Sequence, residues 1–184
     1  MPRLAPLDAA NFTPDQKRVA DAIIASRGQI SLSGGPFLPW MRSPELADRA
    51  QHLGDFCRYH SSLEPTLSEF AIIVTAKFWK SQYEFFAHAR MAKEAGVPEA
   101  IIEAVRTGAE PALTDERQKA IYVFVNEYLE THRVSDATYD RAKAALGENG
   151  VVDLVGIVGY YCLVSMTLNV FEVALPAGEA DPLP

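Results

Sequence analysis

The chain reads as an all-α, single-domain bundle of about seven or eight helices, and three observations predict it. Apolar residues recur at intervals of three and four along most of its length. Helix-start signals precede these segments, and Gly or Pro follows them. No stretch alternates with the period of two that a half-buried strand needs. At 184 residues the chain fits one domain, 1–184, with a core that needs no disulfide or metal staple.

The elements follow in order. Thr13-Pro14 opens the first helix, with Gln16 at the capping-box position and Gly28 at the stop. Residues 29–41, QISLSGGPFLPWM, are too rich in Gly and Pro for a helix and are expected to form a loop. Its Phe37, Leu38 and Trp40 are apolar enough that the loop should fold back on the body. Ser43-Pro44 starts a second helix, to about Tyr59, with Leu46, Ala50, Leu53 and Cys57 on its inner face. After Glu64-Pro65 comes a mostly buried helix carrying Phe70, Ile73, Val74 and Ala76 to Phe78. Ser81 to Ala95 is the next, stopped by Gly96.

A short helix runs from Val97-Pro98-Glu99 to Gly108. A longer one starts at Thr114, with Ile121, Val125, Tyr128 and Leu129 facing inward. Ser135 caps another, stopped by Gly147, and an apolar helix from about Val151 to Val173 comes last. The tail, 176–184, is expected to be flexible. Leu154 to Phe171 carries no charged side chain, yet Asp153 and Glu172 bracket it and Lys/Arg asymmetry is missing from its flanks. The expectation is a buried helix, not a membrane span. One small domain has little room to enclose a helix that is apolar on every face, so part of it is expected between subunits of a homo-oligomer.

Composition narrows the function. The formal net charge of −7 and the lack of a Lys/Arg cluster argue against nucleic acid and for a small-molecule substrate. Cys57 and Cys162 are more than a hundred positions apart, without metal-ligand or redox spacing. The N-terminal segment has no apolar run of a secretory signal, so a cytoplasmic protein is expected.

The chemistry concentrates in WKSQYEFFAHA, where Ser81, Glu84 and His88 lie three and four residues apart on one helical face. Ser81-x-x-Glu84 is also a capping box, which would satisfy free N–H groups at a helix start. Either reading implies a chain reversal near Lys80. On one straight helix Glu69 and His88 would stand about 28 Å apart. With a reversal, Glu69 lies about 16 Å back along one arm and His88 about 12 Å along the other, nearly level. A buried carboxylate could then orient an imidazole.

The pattern Glu69, twelve positions to Ser81, then Ser81-x-x-Glu84-x-x-x-His88, followed by Ala92 and Gly96, resembles the carboxymuconolactone decarboxylase and alkyl hydroperoxidase D (AhpD) superfamily. The upstream stretch from Gly34 to Ala50 and the final YYCLVSMTLNVFEV segment are also similar, and the signature covers 34–108. The resemblance implies an AhpD-like, oligomeric helical bundle, a homotrimer or hexamer, working without metal or organic cofactor. In the hydroperoxidase branch the positions of Ser81 and Glu84 are both cysteines, a redox CxxC. This chain has neither, so a thiol peroxidase is disfavoured.

Tyr83-Glu84 and His88 resemble instead the decarboxylase branch, whose substrate is a carboxylated lactone of aromatic ring degradation. There His88 would transfer a proton near neutral pH, Glu84 would share it, and Glu69 would fix the tautomer. Ser81, Tyr83, Phe37, Trp40 and Arg42 are expected to bind substrate. The cation for an anionic substrate is sought among Arg42, Arg58, Lys77 and Lys80, with Arg42 favoured because its loop carries Phe37 and Trp40. The alternative is a non-catalytic helical binding protein in which Ser81 and Glu84 serve only as a cap.

Overall fold

The structure is a computed structural model; it describes residues 2–28, 30–32 and 34–184, apart from the side chain of Arg27. Eight helices form, and no strand occurs among the described residues: α1 (Pro14–Arg27), α2 (Phe37–Trp40), α3 (Pro44–Asp55), α4 (Pro65–Phe78), α5 (Gln82–Glu94), α6 (Glu99–Thr107), α7 (Glu116–Thr131) and α8 (Asp136–Val170). Two of the start signals act as side-chain caps. Thr13 and Gln16 close a reciprocal capping box on α1, and Ser135 Oγ accepts the Thr138 N–H at the start of α8. The cap of α7 is Asp115, one residue beyond Thr114.

The centre of the bundle is α4. Every residue from Leu67 to Ala76 is buried, because α5, α7 and α8 wrap it on three sides and α6 closes part of the fourth. A helix enclosed this way gets its stability from packing, and truncating Ile73 to Ala would cost about 2–5 kcal/mol. Phe78 lies past the enclosed part and is exposed. The helix α1 packs on α3 and contributes Val19, Ala20 and Ile23 to the core.

The long α8 is two arms joined at Gly147, whose φ of 74° and ψ of 168° break the helix. By length and composition alone α8 could cross a membrane, yet 61% of its most apolar window is buried inside the fold. Leu154, Ile157, Tyr161, Val164 and Leu168 pack into the core, and Val152, Val155, Met166 and Val170 stay exposed.

Several expectations are corrected. The segment 29–41 contains one helical turn, Phe37–Trp40. Pro36 precedes it and Pro39 lies inside it, where a first turn needs no N–H partner. Its apolar side chains are buried, and Trp40 Nε1 donates to Thr167 Oγ1 of α8 at 3.0 Å. The inner face of α3 is Ala47, Ala50, Gln51 and Gly54, whereas Leu46 and Leu53 are 42% and 45% exposed. Apart from Gln51 the residues that face inward there are small, so hydrophobicity alone does not mark the face. Tyr128 of α7 is likewise exposed.

After Asp55 the chain continues in a wide π turn, Phe56–His60, closed by the Ser61 N–H donating to Phe56 O at 2.9 Å. The tail is seated on the body. Gln82 exchanges two hydrogen bonds with the Leu183 backbone, Arg106 Nη1 donates to Pro182 O, and Leu183 is buried.

Candidate functional site

The hairpin that the polar residues require is present. α4 ends in a Schellman arrangement, with the Ser81 N–H on Ala76 O, the Lys80 N–H on Lys77 O, and Lys80 in the left-handed region at φ 50°. The chain then reverses into α5. At the far end Thr66 Oγ1 donates to Ala95 O at 2.7 Å, tying the start of α4 to the end of α5.

Glu69 of α4 and His88 of α5 meet as the reversal demands. His88 Nδ1 lies 2.6 Å from Glu69 Oε2, and His88 Nε2 lies 3.1 Å from Glu84 Oε1 one turn earlier on α5. All three side chains are buried, and the Tyr161 ring meets the imidazole edge to face with centroids 4.9 Å apart. A carboxylate oxygen accepts and cannot donate, so a carboxylate on each side favours a proton on each ring nitrogen. Burial alone would push the imidazole down. The negative charges and hydrogen bonds of Glu84 and Glu69 outweigh it and raise the His88 pKa to about 9. His88 is therefore an imidazolium at neutral pH.

The cluster opens on a cavity of about 390 Å³, walled by Ser31, Gly34 to Phe37, α5, α8 and the π turn. Glu84 and His88 line it, and Glu69 does not: it stands behind the imidazole. Tyr83 and Phe37 also line the cavity. The Tyr83 ring lies so close to the backbone of Gly34 that a Cβ there would meet its hydroxyl at 3.1 Å. Trp40 sits one layer back, edge-on to Phe37 at 5.7 Å and tilted against Tyr160 at 6.2 Å.

Of the residues expected to bind substrate, Ser81, Trp40 and Arg42 do not line the cavity. Ser81 begins α5 as expected, but its hydroxyl makes no capping bond; it is buried without a partner among the described residues, away from the cavity. Glu84, the other half of the supposed capping box, faces His88 instead. Arg42 spends its guanidinium on the carbonyls of Leu38 and Ala5, at 2.5 and 2.7 Å, and does not reach the cavity. Of the four cations considered, Arg58 is the one in the cavity wall. The π turn that carries it has no signal in the periodicity of residues 44–59.

Neither thiol lines the cavity. Burial, with Asp153 nearby, pushes Cys57 up to about 11, and burial also raises Cys162, whose sulfur accepts the Trp79 N–H at 3.2 Å. Both are poor nucleophiles at neutral pH. Among the described residues no group of three His, Cys, Asp or Glu side chains is arranged to hold a metal ion.

The helical hairpin thus buries His88 between two carboxylates beside a small aromatic-lined cavity, an arrangement able to hold and move a proton. The family model for the carboxymuconolactone decarboxylase family matches residues 44–126. The whole fold is shared with a peroxidase-related protein from Ralstonia eutropha JMP134 that has the alkylhydroperoxidase AhpD core, at 14% identity over 96% of this chain and 93% of that one, with a TM-score of 0.78. A peroxidase-related protein from Silicibacter sp. TM1040 is similar at 12% identity, over 96% and 92% of the two chains, with a TM-score of 0.78. A variant of the debrominase Bmp8 in complex with 2,3,4-tribromopyrrole is similar at 13% identity, over 97% and 92%, with a TM-score of 0.74. No curated protein matches the sequence. Residues 44–126, which carry Glu69, Glu84 and His88, thus resemble the carboxymuconolactone decarboxylase family, and the whole chain has the AhpD-like fold.

Proposed function

We propose that the protein is a cofactor-independent lyase or isomerase of the carboxymuconolactone decarboxylase type, acting in the cytoplasm on a small carboxylated or lactone catabolite. The observation that carries this reading is the His88 imidazolium, held between Glu69 and Glu84 at the wall of a cavity large enough for a small molecule. In a decarboxylation the bond from carbon to the carboxylate breaks, carbon dioxide leaves, and the electron pair passes into the conjugated lactone carbonyl. The resulting carbanion then takes a proton from the Glu84–His88 pair, which solvent reprotonates through the cavity. Glu69 acts through His88, fixing its orientation and sustaining its charge. An isomerisation uses the same pair to move a proton between two carbons.

A non-catalytic binding protein would need Ser81 and Glu84 to act as a cap, and their geometry gives that reading no support. Thiol peroxidase chemistry is disfavoured by a cavity lining without sulfur other than Met91. The exposed stripe Val152, Val155, Met166 and Val170 on α8 supports a homo-oligomer, a trimer or hexamer, and light scattering at micromolar concentration would read it. The test of the function is release of carbon dioxide from carboxymuconolactone: His88→Ala abolishes turnover and leaves the assembly folded. Turnover that persists in His88→Ala would refute the role of His88.

A further inference from the structure

Arg58 differs from most arginines of the chain. Arg18, Arg49, Arg106, Arg117 and Arg141 each hold a carboxylate. Arg58 holds none among the described residues. Its Nη2 donates to Met91 Sδ at 3.3 Å, a thioether being a weak acceptor, and its Nε is buried without a partner. The guanidinium carbon lies 5.0 Å from the ring centroid of the exposed Tyr59. A half-buried guanidinium with so little compensation is costly to keep. A ligand that supplies the missing negative charge removes that cost.

Two further observations place such a ligand. The π turn Phe56–His60 interrupts regular helix just where Arg58 must face the cavity, and such turns re-aim side chains at functional positions. Arg58 also lines the same cavity as Glu84 and His88, with Tyr161 in ring contact with His88 and within electrostatic reach of Arg58. The cavity is thus lined by the Glu84–His88 pair and by a cation, together with the aromatic side chains Tyr83, Phe37 and Tyr160.

We propose that Arg58 is the anion anchor of this cavity: it pairs with a spectator carboxylate of a small planar acid and so directs the reacting carbon toward Glu84 and His88. The inference rests on the acid–base reading for its orientation, but the anchor itself does not. The anchored carboxylate is not the one that leaves, because ion pairing would stabilise the ground state against loss of carbon dioxide. The substrate therefore carries an acidic group in addition to the reacting one. Arg58 is a specificity-determining residue, and it has no part in proton transfer.

Calorimetric titration at pH 7 with benzoate and 2-furoate, each against its neutral amide, tests the anchor without any turnover. The wild type is expected to bind each acid at least tenfold more tightly than its amide. Arg58→Met loses that preference while keeping its affinity for the amides, and Arg58→Lys, which restores the charge without the planar fork, recovers part of it. Because Arg58→Met removes an uncompensated charge, its melting temperature is expected to equal or exceed that of the wild type. Equal binding of acids and amides by the wild type overturns the proposal, as does a preference that survives in Arg58→Met. If carboxymuconolactone is not turned over while the Arg58-dependent preference is present, the catalytic reading fails and the anchor stands.

Discussion

Raising the pH from 6.5 to 9 removes a proton that the folded state holds and the unfolded state has already lost. His88 moves from an ordinary value of 6.5 to about 9 in the fold, because two buried carboxylates favour the imidazolium. Its contribution to stability is therefore complete below pH 6.5 and is lost as the pH climbs through 9. Within that window the unfolding free energy falls by about 1.4 kcal/mol per pH unit, on the order of 3 kcal/mol in all. Equilibrium urea unfolding at pH 6, 7, 8 and 9 would read this as a midpoint shift of roughly 1–3 M. The scan stops at pH 9, because the raised Cys57, Cys162 and Tyr161 bring their own losses above it. His88→Leu, measured in parallel, gives the profile without the imidazole and should be flat in the same window. A flat wild-type profile, or an equal slope in His88→Leu, would refute the reasoning.

Other substitutions test the hairpin. Ser81→Ala should leave stability unchanged or raise it by up to about 1 kcal/mol, because the hydroxyl it removes is buried without a partner; a working cap would instead cost about 0.5–2 kcal/mol. Lys80→Gly should stabilise by about 0.5–1 kcal/mol in thermal or urea unfolding, since Lys80 holds φ 50° where glycine has no Cβ penalty. Catalytically, kcat on carboxymuconolactone should hold from pH 7 to 8 and fall as the pH passes about 9, where the proton donor is lost.

Much of this molecule is legible in its sequence because local chemistry and tertiary structure agree. Thr13 with Gln16, Gly28, Gly96 and Ser135 mark helix ends that the structure reproduces, and the periodicity around Phe70 and Ile121 identifies core faces. The Glu69–Glu84–His88 cluster was also legible, since a spacing of nineteen residues with a reversal between brings two buried polar groups level. What failed did so where local rules meet tertiary demands. Ser81 and Glu84 satisfy the capping-box pattern, yet a buried imidazolium competes for Glu84 and wins. On α3, Ala47 and Gly54 face inward while Leu46 and Leu53 stay exposed, so hydrophobicity alone did not mark the face. Lys80 carries no turn signature and is held left-handed by the two hydrogen bonds around it. The π turn that aims Arg58 depends on one long hydrogen-bonded ring, to which hydrophobic periodicity is blind. The tail is ordered through Gln82 and Arg106, both distant in sequence.

A proton stored on His88 between two carboxylates is the central feature of the site, and nitrogen NMR of the imidazole reads it directly. With 15N-labelled histidine, both ring nitrogens of His88 should show imidazolium shifts at pH 7.5 and titrate together near pH 9. Replacing Glu69 by Gln should lower that midpoint, because one of the two charges holding the proton is gone. A neutral imidazole at pH 7.5, titrating at or below 6.5, would contradict the account.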